Sequence, residues 1–171
     1  GNGVYIEARI KNLDLPGTLP AFWAKTNRNS GNTWPPEIDF MEIPLDSDTS
    51  SGYNRSSTHH IHYTQSETVG DSSTHRDHSN GDFELESGDF QDDYHVFGCL
   101  WTPDQISHFV DGNLVGRTTD ETILNSCSNG APFYMMLWLG PGHEWPGNPP
   151  EDWTNYDTSM EIDFVRIWHK Q

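Results

Sequence analysis

Residues 37 to 42 read Glu37-Ile38-Asp39-Phe40-Met41-Glu42. Three carboxylates this close repel one another, and a chain that holds them together has a use for unequal proton affinities. Glycoside hydrolysis is such a use. One carboxylate must be ionised, to attack or to activate water, and another must stay protonated to supply the leaving oxygen. A third, ionised acid between them keeps the proton on the general acid by like-charge repulsion. In an extended strand alternate side chains share a face, so Glu37 and Asp39 point the same way and Glu42 falls one residue out of phase. A β-bulge at Phe40-Met41 absorbs the extra residue and returns Glu42 to that face. A solvent-facing acidic strand has the same letters, so the motif alone leaves both readings open.

The aromatic residues weigh on this choice. Trp34 stands three residues before Glu37, and Trp23, Trp101, Trp138, Trp145 and Trp153 are spread along other segments. Sugar rings present flat C–H faces that stack on indole, so Trp commonly lines a glycan cleft. Trp34 and Trp145 lie in Pro/Gly contexts that suit a loop better than a core; Trp23 and Trp168 fit the core equally well. His59, His60 and His62 sit in one short segment, with His75 and His78 beyond it. His60 and His62 share a strand face, but no Cys/His spacing matches a zinc pattern. Hydrogen bonding is expected for His62, and surface exposure for His75 and His78.

The elements that must position these groups read as β throughout. The 171 residues suit one domain, 1–171, large enough to bury a core without staples. Seven Trp, six Tyr and eight Phe, with many Gly, Pro, Ser, Thr, Asn and Asp, combine strand formers with turn formers. Strands are expected at Val4–Lys11, Leu19–Lys25, Glu37–Glu42, Thr58–Thr64, Tyr94–Trp101, Phe133–Leu139 and Met160–Trp168. Asp111-Gly112-Asn113 marks a hairpin between Gln105–Asp111 and Asn113–Arg117. The apolar run Phe133–Leu139 is expected to be central, residues 65–93 to be a long polar excursion, and no segment to be helical. Many short strands separated by turns predict a β-sandwich.

Beyond these local readings, the chain resembles glycoside hydrolase family 16, the family of laminarinases, lichenases, agarases and carrageenases. Its hallmark Glu-x-Asp-x-x-Glu is matched by Glu37, Asp39 and Glu42. Also matched are the strand ending Ala8-Arg9-Ile10-Lys11, the run Pro20-Ala21-Phe22-Trp23, and Tyr94 to Pro103. Phe109-Val110-Asp111-Gly112, Trp145-Pro146-Gly147 and Met160 to Ile167 follow in the family's order. The resemblance implies a β-jelly-roll sandwich of two antiparallel sheets with a concave cleft. It implies Glu37 as nucleophile, Glu42 as general acid/base and Asp39 as the electrostatic partner between them. Trp34, Trp101, Trp138 and Trp145 are then sugar platforms, and His62 and Arg9 contact sugar hydroxyls. The family's structural calcium uses N-terminal groups together with the counterpart of Asp163. Those early strands do not precede the Ala8-Arg9-Ile10-Lys11 strand in this sequence, as in a trimmed chain or a compact form, and no metal or other cofactor is expected.

The charge of −17 disfavours nucleic acid and anionic membrane as partners and suits a neutral glycan. The expected protein is a secreted, monomeric, retaining endo-hydrolase of a β-1,3-glucan. One alternative is a hydrolase of a marine galactan; the charge opposes a sulfated polymer unless Arg9, Arg28, Arg55 and Arg76 form a basic patch. Another is a non-catalytic carbohydrate-binding protein, in which one or more of the acids are typically lost. Cys99 and Cys127 fit one disulfide or two buried thiols equally well.

Overall fold

The computed structural model describes residues 3–26, 34–46, 54–66, 68, 70–128, 132–142 and 144–169. Among these residues ten strands form two antiparallel sheets of five. They are β1 (Val4–Lys11), β2 (Thr18–Thr26), β3 (Glu37–Glu42), β4 (Ser56–Thr64), β5 (His75–Glu84), β6 (His95–Thr102), β7 (Gln105–Val110), β8 (Asn113–Thr118), β9 (Phe133–Pro141) and β10 (Glu161–His169). One sheet runs β10-β1-β6-β7-β8 and the other β5-β4-β3-β2-β9. Each has one face turned to the shared core. From β1 come Ile6, Ala8 and Ile10, from β6 Phe97 and Cys99, and from β7 Ile106 and Val110; Phe22, Ala24, Ile38, Phe40, Met41 and Ile61 meet them from the other sheet. Phe22 and Phe40 pack edge to face at 4.9 Å. The β7–β8 hairpin turns at Asp111 and Gly112, whose φ values of 49° and 78° are both in the left-handed region that a two-residue turn of the primed type requires.

Three expectations are corrected. Glu121–Ser128 is a helix, α1, which buries Ile123, Leu124 and Cys127. Asp120 caps it, its carboxylate accepting the amides of Thr122 and Ile123 at 2.8 and 3.2 Å. Eight residues are too short for helical periodicity to stand out. The polar excursion contains β5, an edge strand polar on both faces and therefore without alternation to read. The apolar strand β9 is an edge strand of its sheet among the described residues, not a central one. Its core-side Met135 and Leu137 remain 37% and 41% exposed, as do Val165 (41%) and Ile167 (46%) on β10. Cys99, in β6, and Cys127, in α1, are both buried free thiols.

Between the sheets lies a polar pair with a fixed protonation state. His59, from β4, is fully buried; its Nδ1–H donates to the Phe40 carbonyl at 2.8 Å and the Ser57 hydroxyl lies 3.2 Å from Nε2. His108, from β7, stacks 5.3 Å away and accepts at Nδ1 from the Asn80 amide at 2.7 Å. Burial pushes His59 down to about 4 and His108 well below the usual imidazole range. The unfolded chain therefore takes up protons first. The stabilising effect of His59 is complete above pH 6.5 and is lost as pH falls from there through about 4, and His108 acts in the same direction. Long-range ¹H–¹⁵N spectra are expected to show both rings neutral at pH 5.5, His59 as the Nδ1–H tautomer. Titration of either near 6.5 contradicts this packing.

Candidate active site

The bulge that the sequence calls for lies where β2 meets β3. Phe22 stands opposite Met41 and Trp23 opposite Asp39, so Phe40 is the extra residue. Ala21, Trp23 and Lys25 then pair with Glu42, Asp39 and Glu37 on the outer face, while Phe40 and Met41 are both fully buried. All three acids enter one open cleft of about 650 Å³. Its lining includes Trp23, Trp34, Trp138 and Trp145, together with His60, His62 and Asp77.

The histidines of β4 meet the acids because Glu37 lies opposite His62 in register. His60 Nδ1 is 3.1 Å from Glu42 Oε2, and its ring lies 6.2 Å from that of Trp145. His62 Nε2 is 3.4 Å from Asp39 Oδ2 and 3.7 Å from Glu37 Oε1. His62 Nδ1 is 3.0 Å from His75 Nε2, and the His75 ring stacks on Trp34 at 4.4 Å.

Burial raises Glu37 to about 7; Lys25 and an N–H from Trp34 oppose the shift and Glu42 adds to it. Asp39 is held well above the usual carboxylate range by burial and then by the charges of Glu42, Glu37 and Asp77. Three ionised acids in one partly dry cleft are therefore unfavourable at neutral pH, and the group retains a proton. The contact with Glu42 raises His60, whereas burial lowers His62. An imidazole beside Glu42 accepts from the carboxyl or donates to the carboxylate, so it matches either state of an acid that gives and then recovers a proton.

The fold brings Glu37, Asp39, Glu42, Trp34, His62, Trp138 and Trp145 together. It separates two others. Trp101 is on β6, in the opposite sheet, and packs edge to face on Phe133 at 4.8 Å. Arg9, on β1 of that same sheet, donates to Asp163 at 2.7 Å and stacks over Tyr94. Neither lines the cleft, because strand membership and not distance along the chain decides which face a residue reaches. Asp163, the candidate calcium ligand, is paired with Arg9. His75 and His78 are half-buried, not exposed, and His75 supports His62. His60 had a sequence signal, since it shares the face of His62; Asp77 and His75, in the polar stretch, had none.

Comparison with known proteins places the chain in a family. The family model for glycosyl hydrolases family 16 matches residues 3–166. The chain belongs to glycoside hydrolase family 16. It is 26% identical to glucan endo-1,3-beta-glucosidase A1 of Niallia circulans, over 97% of this chain and 24% of that protein. It is 30% identical to kappa-carrageenase of Pseudoalteromonas carrageenovora, over 99% of this chain and 44% of that one. The endo-beta-1,3-glucanase structure from Pyrococcus furiosus aligns with a TM-score of 0.72 at 31% identity, covering 96% of this chain and 60% of that one. The laminarinase catalytic domain from Thermotoga maritima aligns at 0.75 with 24% identity, over 100% and 65%, a likeness of fold. The sandwich is thus the jelly roll of family 16. The chain spans less than half the length of these two curated relatives and under two thirds of the two solved chains.

Two outcomes follow for this family 16 site. Glu37 carries a folded-state pKa above its unfolded value, so its ionisation costs stability above pH 7 and costs nothing below about 4.5. Glu37→Gln is expected to gain about 1–3 kcal/mol at pH 8, with the gain vanishing by pH 4.5 in denaturation curves; a loss at pH 8 contradicts the electrostatics. His60→Ala releases Glu42 and is expected to lower kcat about 10- to 100-fold with little change in KM. An unchanged kcat means that His60 does not hold Glu42.

Proposed function

We propose that the protein is a retaining endo-acting glycoside hydrolase that cuts internal linkages of a neutral β-glucan, of the β-1,3 type, by double displacement. The observation that carries this reading is the bulged acid triad facing an open cleft walled by Trp34, Trp138 and Trp145. Glu37 attacks the anomeric carbon while Glu42 protonates the departing oxygen. Glu42 then takes a proton from water as the glycosyl–Glu37 ester is hydrolysed. Burial alone favours the shared proton on Glu37 or Asp39. Lys25 and the Trp34 N–H both favour ionised Glu37, the form that attacks. An open cleft suits mid-chain attack, and a polymer too large to enter a cell implies an exported enzyme.

The cleft's charge favours a neutral polymer. Among the described residues no arginine lines it. Arg55 donates to the carbonyls of Leu85 and Glu86, Arg76 to that of His75, and Arg9 to Asp163. Arg28 lies outside the described residues. The 30% identity with kappa-carrageenase supports a second reading, hydrolysis of a galactan.

The deciding assay is product release from laminarin, lichenan, agarose and carrageenans, with Glu37→Gln as control and ¹H NMR of the first anomer formed. Oligosaccharides from laminarin with retained β configuration, lost in the variant by at least about 10³-fold, are expected. Products from carrageenan alone select the galactan reading. Polysaccharide binding without products from any polymer overturns the hydrolase reading.

A further inference from the structure

We propose that Glu37, Asp39 and His62 form a binding site for a divalent transition-metal ion of the zinc type, which blocks the cleft when it binds. One ligand atom from each residue lies within 4.8 Å of the other two. His62 Nε2 is 3.4 Å from Asp39 Oδ2 and 3.7 Å from Glu37 Oε1. Donors sharing a tetrahedral ion at bonds of about 2.0–2.2 Å stand about 3.3–3.6 Å apart. The two spacings from His62 are close to this and the third is within 4.8 Å, so side-chain movements of about 1 Å or less complete the site.

Asp39 is the feature that points to a ligand. It is 3% exposed, and its Oδ2 has no hydrogen-bond partner although it faces His62. A buried carboxylate oxygen without a donor is costly, and a cation held between it and the imidazole removes that cost. His75 supplies the outer support. When His62 Nδ1–H donates to His75 Nε2, 3.0 Å away, Nε2 keeps its lone pair and aims it at the two acids. Ligating histidines are commonly fixed in this way. One imidazole and two carboxylates suit zinc-type ions better than calcium or magnesium, which take oxygen ligands. Three protein ligands leave a fourth position open toward the cleft. The chain's −17 charge concentrates cations at its surface. The ligands come from two paired strands and are 25 positions apart at the widest, so no local spacing in the sequence announces them.

That the bound ion inhibits rests on the function proposed above, because the ion takes the Glu37 lone pair that the reaction needs. Binding itself does not depend on that reading, and it is measured without turnover. Zinc chloride is titrated into the chelator-treated protein by calorimetry, and Co²⁺ is followed by its d–d absorption. One ion per chain is expected at this site, with affinity weakened at least 10-fold in His62→Ala and about 10-fold in His75→Phe. Calcium and magnesium are expected not to displace it. No uptake at millimolar zinc overturns the site, as does uptake equal in wild type and both variants, which locates the ion on other histidines. A protein that binds zinc through His62 but cuts no polysaccharide even when zinc-free refutes the hydrolase reading alone. An active enzyme that binds no zinc refutes only the metal site.

Discussion

The site depends on one extra residue in β3. A regular strand from Glu37 to Glu42 would turn Glu42 away from the other two acids. It would also bury a carboxylate in the core or expose a core residue. With Phe40 left unpaired against β2, both Phe40 and Met41 turn inward, and Phe40 packs on Phe22. The same irregularity thus fills the core and completes the acid face, so packing energy holds the geometry of the three acids.

The outer face is costly to maintain. Asp39 and Glu37 are largely dry, close to each other and to Glu42, and their ionised forms are disfavoured. The inner face of the same sheet carries the opposite arrangement, with Phe22, Phe40, Ile38 and Ile61 packed against β1, β6 and β7. Apolar burial on one side of a single sheet therefore supports strained electrostatics on the other. His59 belongs to this support, because its Nδ1–H holds the carbonyl of Phe40, the bulged residue. A disturbance of that buried imidazole acts on the bulge directly, although its ring never meets the cleft.

The acid triad, its bulge and most strands were legible because they follow local rules: period-two alternation, a turn pair at Asp111-Gly112, and three acids with a one-residue phase error. β5 was not, since a strand with polar residues on both faces has no alternation. β9 was misplaced because its apolarity has two sources, a core side with Met135 and Leu137 and a cleft side with Trp138. A run apolar on both faces reads as central whether or not strands flank it. α1 was missed because two turns of helix bury too few residues to set a period.

The sequence by itself determined the local pattern: three acids whose spacing demands a bulge, a high share of tryptophan, and a net charge of −17. Only the tertiary structure decided which side chains share the cleft. Trp101 and Arg9 belong to the other sheet, and His60, His75 and Asp77 come to the acids through the pairing of β3, β4 and β5. The physical reason is that side-chain alternation and turn geometry are written in neighbouring residues. Strand order and register are set by which faces bury best against each other, and that depends on contacts distant in the chain.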